Sequence, residues 1–294
     1  MAETNFADRL FAAVEEKDSR VCVGLDPNLE LLPDDLLAAH GHPAEAVVEF
    51  CTRICVAVAP YAPVVKLQAA YFEALGRAAS NALWAVIAEA RREGLLVMLD
   101  GKRNDIGSTA SAYAQAYFGG ETPVDALTVN PYLGSDGILP FLEAAQAVGS
   151  GVFVLVHTSN PSAAELQDLR IDDSSHRVYE HVGEEVRLMG ASLRGERGYS
   201  ALGAVVGATY PEQLAHLRRK LPGVPFLVPG YGAQGAGAAE VIGAFDDDRL
   251  GAIVNASRSL IFAYRQATEG ESFATAAGEA ARRMRDEINS ALQS

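Results

Sequence analysis

The sequence predicts an α/β fold, a (β/α)8 TIM barrel, on three observations. Short apolar runs alternate eight times with helix-spaced segments. Each run is nearly continuous in apolar residues, as in parallel strands covered on both faces. Charged residues follow several runs directly, so they sit at strand ends rather than in the core. A doubly wound sheet is the alternative, but no Gly-x-Gly-x-x-Gly follows the first strand. The chain has 294 residues, and single barrels commonly reach about 250 residues or more. No repeat, low-complexity tract or linker divides it, so residues 1–294 are expected to form one domain.

The elements follow in order. Phe6–Glu16 is helical through Phe6, Leu10, Phe11 and Val14, and Arg20–Leu25 is strand one. Ala44–Ala59 carries a stripe of Val47, Val48, Ile54, Cys55 and Val58, and Pro63–Gln68 is strand two. Ala78–Glu93 is a helix stopped by Gly94, with Trp84 expected as a core anchor. Leu95–Leu99 is the apolar part of strand three, and a helix over Thr109–Phe118 ends at Gly119-Gly120. Strand four is Val124–Asn130, with a helix over Gly137–Val148. Strand five is Val152–His157. Leu202–Gly207 is strand six, Pro211–Lys220 its helix, Phe226–Val228 strand seven and Ala252–Asn255 strand eight, followed by helices. The Thr158–Ser200 connection far exceeds the roughly 2–6 residues usual between such elements. It holds the polar piece Arg170–Ser175 and a predicted helix over Val178–Leu193. A functional cover over the barrel mouth and a decoration of the fold both remain open for it.

Composition narrows the function classes. A net charge of −14 argues against nucleic acid or an anionic membrane as partner. It also requires any phosphate site to be locally basic. Cys22, Cys51 and Cys55 lack the companions of a metal site and read as packed thiols, in keeping with a reducing, cytoplasmic compartment. The first residues carry acids throughout and no long apolar stretch, so no secretory signal is expected. No run approaches a membrane span.

The stretch Leu95–Thr109 concentrates the chemistry. Its apolar run ends in Asp100, Lys102 and Asp105. Asp100 and Lys102 can share a face if strand geometry persists. Asp105 and Thr109 share one if a helix starts just after Asn104. Two carboxylates 4 Å apart repel by about 4 kcal/mol at an effective dielectric near 20, and a lysine between them offsets this. Such a cluster suits charge stabilisation on a substrate. The plain alternative is a solvated strand end with Asp105 as an N-cap. Lys66 lies inside strand two and needs a partner, for which Asp100 is the natural choice. Asp26 ends strand one, as a turn cap or as an acceptor for sugar hydroxyls. His157 reads as a satisfied structural group. Pro229–Gly237, PGYGAQGAG, is a glycine-rich loop after strand seven, and Asn255-Ala256-Ser257-Arg258 follows strand eight. Glycine N–H groups, Gln234 and a bidentate Arg258 suit a phosphate, which barrels of this type hold after strands seven and eight.

The array Asp100-x-Lys102-x-x-Asp105-Ile106-x-x-Thr109 after an apolar strand resembles orotidine 5′-phosphate decarboxylase. The shorter Asp-x-Lys-x-x-Asp pattern is shared with metal-dependent hexulose-phosphate synthases and ketogulonate-phosphate decarboxylases. The resemblance covers nearly the whole chain. It implies decarboxylation of orotidine 5′-phosphate to uridine 5′-phosphate, the last step of de novo UMP synthesis, with no metal and no cofactor. It implies Lys102 as proton donor, with Asp100 and Lys66 beside it and Asp105 supplied by the partner subunit of a homodimer. It further implies Asp26, Ile106, Thr109, Ser159, Pro229, Gly230, Gln234 and Arg258 as substrate-binding residues. The Thr158–Pro161 (TSNP) and Pro229–Gly235 (PGYGAQG) pieces resemble the longer bacterial subgroup, type 2. The rival readings are a metal-dependent sugar-phosphate lyase and a non-catalytic phosphate-ligand sensor. Lys66 and Gln68 on strand two disfavour the first, because carboxylate ligands would be wanted there.

Overall fold

The computed structural model describes residues 5–120, 122–171, 176–232, 235–267 and 270–293. Its strands are β1 (Val21–Leu25), β2 (Val64–Gln68), β3 (Leu96–Arg103), β4 (Ala126–Val129), β5 (Gly151–His157), β6 (Leu202–Val206), β7 (Phe226–Pro229) and β8 (Ala252–Ala256). They follow one another around a closed barrel in sequence order, the predicted fold class. Their apolar side chains are almost all buried, as continuous apolar runs require.

The chain divides into two compact units. One comprises Ala13–Gly101 and Asn255–Gln293. Here β1 pairs in parallel with β2 and β2 with β3, in a register that sets Gly24 beside Lys66 and Gln68 beside Asp100. Helices Pro43–Val58 and Phe273–Ala291 bury a cluster in which Phe50 stacks on Phe262 and Phe273 at 5.6 and 4.9 Å. Cys22, Cys51 and Cys55 are buried free thiols, as expected. Trp84 is only partly buried, so the core anchors of helix Ala79–Arg92 are instead Leu83, Val86 and Ile87.

The other unit runs to Ala12 and from Lys102 to Val254. β4 to β7 pair in parallel. Phe6 meets Phe153 edge-on at 6.0 Å, and Arg9 pairs with the buried Asp125 at 2.6 Å. Within the long connection a helix spans Val178–Gly190 and continues as a 3-10 turn to Leu193, close to the predicted Val178–Leu193. Of the polar piece Arg170–Ser175, residues 172–175 lie outside those described.

Candidate active site

In the first unit the ends of β1, β2 and β3 bring Asp26, Lys66, Gln68 and Asp100 together. Lys66 and Asp100 are 3 % and 7 % exposed. The Lys66 ammonium donates to Asp100 Oδ2 at 3.1 Å, and Gln68 Nε2 donates to the same oxygen at 2.9 Å. Asp26 Oδ1 lies 3.9 Å from Lys66 Nζ, buried and without a hydrogen bond among the described residues. Burial alone would push the Lys66 ammonium down. Asp100 and then Asp26 outweigh it and hold the group above its ordinary value. Lys66 is therefore a fixed cation between two acids, of which the sequence pointed to Asp100.

Arg258 opens a short helix, Arg258–Ile261, directly after β8. Its side chain is exposed and makes no ion pair among the described residues. The approach of this segment to β1 depends on Gly24. A Cβ there would overlap Ser257 Oγ and come within 3.1 Å of Asn255 Oδ1. Asn255 is 7 % exposed, and its Oδ1 has no hydrogen bond among the described residues.

The second unit carries Lys102, Asp105, Ile106, Thr109, Ser159, Pro229 and Gly230. The strand persists through Arg103, so Lys102 is a strand residue. Its φ of +44° nevertheless departs from extended geometry, so the simple two-residue alternation does not reach it. A non-glycine residue in this region costs on the order of 1–2 kcal/mol. Its backbone N–H donates at 3.0 Å to Oγ1 of Thr128, which is fully buried on β4.

The helix after β3 starts at Gly107 with Ile106 as its cap residue. Asp105 therefore lies before the helix. It is neither the N-cap nor a neighbour of Thr109 on one helix face. Its Oδ1 accepts from the Ile106 N–H at 2.9 Å, a local turn contact. The condition of a helix from just after Asn104 is not met: the helix begins two residues before the predicted Thr109, at Gly107, whose φ is +54°. Ile106 is 51 % exposed, and Thr109 is exposed as well.

Ser159 sits against Gly207, where a Cβ would come within 2.8 Å of the serine backbone, and its carbonyl accepts from Thr209 Oγ1 at 3.2 Å. The adjoining Thr158 is held twice by Gln167. Its N–H donates to Oε1 and its Oγ1 accepts from Nε2, both at 2.8 Å. His157 is buried between Tyr179 and Tyr210, with Nε2 3.3 Å from Asp168 Oδ1. Burial pushes its pKa down, opposed by Asp168. Its Nδ1 is buried without a partner among the described residues, so the histidine is satisfied on one nitrogen only.

The glycine-rich loop needs its glycines. Gly230, Gly232 and Gly235 have φ of +109°, +75° and +95°. Gly232 N–H donates to the Ala236 carbonyl and Gly235 N–H to that of Gly232, at 2.8 and 2.9 Å. Those two N–H groups serve the loop itself, which reduces the number expected for an anion. Gln234 lies outside the described residues. Sequence reasoning missed Thr128, Gln167 and Asn255. A lone polar residue within or at the end of an apolar run was the available signal for Thr128 and Asn255, too common to single them out, and Gln167 in a polar loop carried none.

A parallel (β/α)8 barrel with a buried acid–base–acid cluster at the carboxyl ends of its first strands belongs to the barrel proteins that work at that face. The model of the orotidine 5′-phosphate decarboxylase / HUMPS family matches residues 19–273. An orotidine 5′-phosphate decarboxylase of Rhodopirellula baltica is 47% identical over 93% of this chain and 92% of its own. One from Clostridium perfringens is 39% identical over 97% and 99%. The solved structure of Leishmania donovani OMP decarboxylase superposes with a TM-score of 0.78 at 33% identity, covering 99% of this chain and 100% of that one. The chain belongs to the orotidine 5′-phosphate decarboxylase / HUMPS family.

Proposed function

We propose that the chain decarboxylates orotidine 5′-phosphate to uridine 5′-phosphate and CO2, without a metal, as the last step of UMP synthesis. Relatives of that name match it over nearly their full length. The observation that carries the metal-free reading is the Lys66–Asp100–Gln68 arrangement. One Asp100 oxygen is already taken by an ammonium and an amide donor, a poor start for a divalent-ion site.

Loss of CO2 from C6 leaves a carbanion in the plane of the pyrimidine. Lys102 stabilises that charge and delivers the proton to C6. Asp100, and Asp105 from the partner subunit, face the departing carboxylate, and their repulsion with it ends as it leaves as neutral CO2. Lys66 keeps the acids charged and in place. Asp26, whose buried Oδ1 makes no hydrogen bond among the described residues, accepts from the ribose. Ile106 and Thr109 complete the partner's site, Ser159 contacts the pyrimidine, and Pro229, Gly230, Gln234 and Arg258 hold the phosphate. Remote phosphate binding supplies energy that positions the reacting ring.

A homodimer with shared sites fits the exposed apolar side chains around the ends of β3 and β4, Ile106, Tyr113, Tyr132, Leu133 and Leu139. The single-domain reading, a cytoplasmic location and membership of the longer bacterial subgroup belong to the same proposal. Among the described residues no helix is long and apolar enough to cross a membrane.

The test is the ultraviolet absorbance change of orotidine 5′-phosphate with purified protein, with and without chelator. Rapid conversion indifferent to chelator is expected. Conversion abolished by chelator and restored by magnesium would reject the metal-free mechanism. No conversion by folded protein, with turnover of a hexulose phosphate in magnesium, would move the chain to the sugar-phosphate branch of the family.

A further inference from the structure

We infer that Thr128 is a positioning residue for Lys102, an inference that rests on the proton-donor reading of that lysine. Lys102 is the only non-glycine residue with positive φ that lies within a strand among the described residues, the others being Asp18 and Arg249 in turns. Nothing in a lysine side chain favours that backbone conformation, so the surroundings must hold it. A left-handed residue inside a strand re-aims its side chain relative to the regular pleat, as bulges beside active sites do.

The contact that meets this backbone is a side chain. Thr128 Oγ1 accepts the Lys102 N–H at 3.0 Å, where a regular ladder would offer a main-chain carbonyl. The next bond along the same pair of segments is main chain to main chain, Asn130 N–H to the Arg103 carbonyl at 2.9 Å. Thr128 is fully buried, on a strand whose other residues, Ala126, Leu127 and Val129, are apolar. It is the one hydroxyl in that run. Valine would match its shape and its strand preference. The hydroxyl supplies an acceptor that valine lacks. The Oγ1 anchors the backbone of Lys102, so the direction in which the ammonium leaves the strand is set from β4.

Thr128→Val keeps the volume and removes the acceptor, and Thr128→Ser keeps the acceptor. A displacement on the order of 1 Å at a reacting group costs about 100-fold in rate. The valine variant is therefore expected to lose about 10- to 100-fold in kcat, with KM within about threefold of wild type. The serine variant should recover kcat to within about threefold. A merely structural threonine would lower the melting temperature and leave kcat per folded molecule unchanged, and that result overturns the inference. So does equal loss in the serine and valine variants.

Lys102→Ala is measured alongside. If it is inactive while Thr128→Val is normal, only the role of Thr128 falls. If it turns over normally, the proton-donor reading has failed and the inference falls with it. Should Thr128→Val not fold, Thr128→Ser against Thr128→Ala carries the same comparison at smaller volume.

Discussion

Lys66 and Lys102 are two lysines of opposite character. Lys66 is 3 % exposed and locked to Asp100, whereas Lys102 is exposed and held by its backbone. The first suits a structural cation and the second a group that must reach a substrate and give up a proton. Lys102→Ala is expected to lower kcat/KM by at least about 10⁴-fold with an unchanged circular dichroism spectrum and melting point. Near-normal turnover would remove Lys102 from the chemistry. Lys66→Met removes the ammonium that donates to Asp100 and faces Asp26 across 3.9 Å, a change that costs roughly 3 kcal/mol. Without the ammonium the buried Asp100 carboxyl should take up a proton more readily in the folded state. The loss should then shrink as pH falls below neutral, measured by urea unfolding. A deficit independent of pH would mean that the pair contributes through packing alone. That Lys66 would find Asp100 was legible from sequence, because a buried strand lysine has few possible partners. That Ile106 would cap the helix and Asp105 would fold back onto its N–H was not, because both depend on how the chain turns at Gly107.

At the scale of elements, Asp168 ties the long connection to His157 at the end of β5, and the adjacent Gln167 holds the connection's first residue, Thr158. These contacts fasten the start of the connection at the strand mouth. The histidine makes the tie sensitive to pH. Burial lowers its pKa below the ordinary 6.5 despite Asp168, so the folded chain binds the proton less well than the unfolded chain. The contribution of neutral His157 is thus full above about pH 6.5 and is lost as pH falls toward the depressed folded value. His157→Gln removes the titration and keeps a donor toward Asp168. Urea midpoints for wild type should fall relative to this variant between about pH 7.5 and 5.5. Parallel curves would show that His157 does not titrate with unfolding. Helix and strand placement here was legible almost to the residue, since apolar periodicity is local. The two ties were not, because a glutamine or aspartate in a polar loop carries no mark of its partner.

For the whole molecule, the proposal places Lys102 and Asp105 of one catalytic array on different subunits. Separately inactive Lys102→Ala and Asp105→Asn proteins, mixed and allowed to exchange subunits, should then regain about a quarter of wild-type activity, because half the dimers carry one intact site. No recovery in a mixture shown to exchange subunits would reject a shared site. The sequence by itself determined the eightfold alternation, the barrel, the buried thiols and the signs of the charges at the strand ends. These follow from residue type and spacing within a few turns of chain. Only the tertiary structure decided that Lys102 takes a left-handed backbone, that Thr128 meets it, that Gly24 makes room for Asn255 and Ser257, and that Trp84 stays near the surface. Each of these depends on what a distant segment places against the residue, and no local period encodes that.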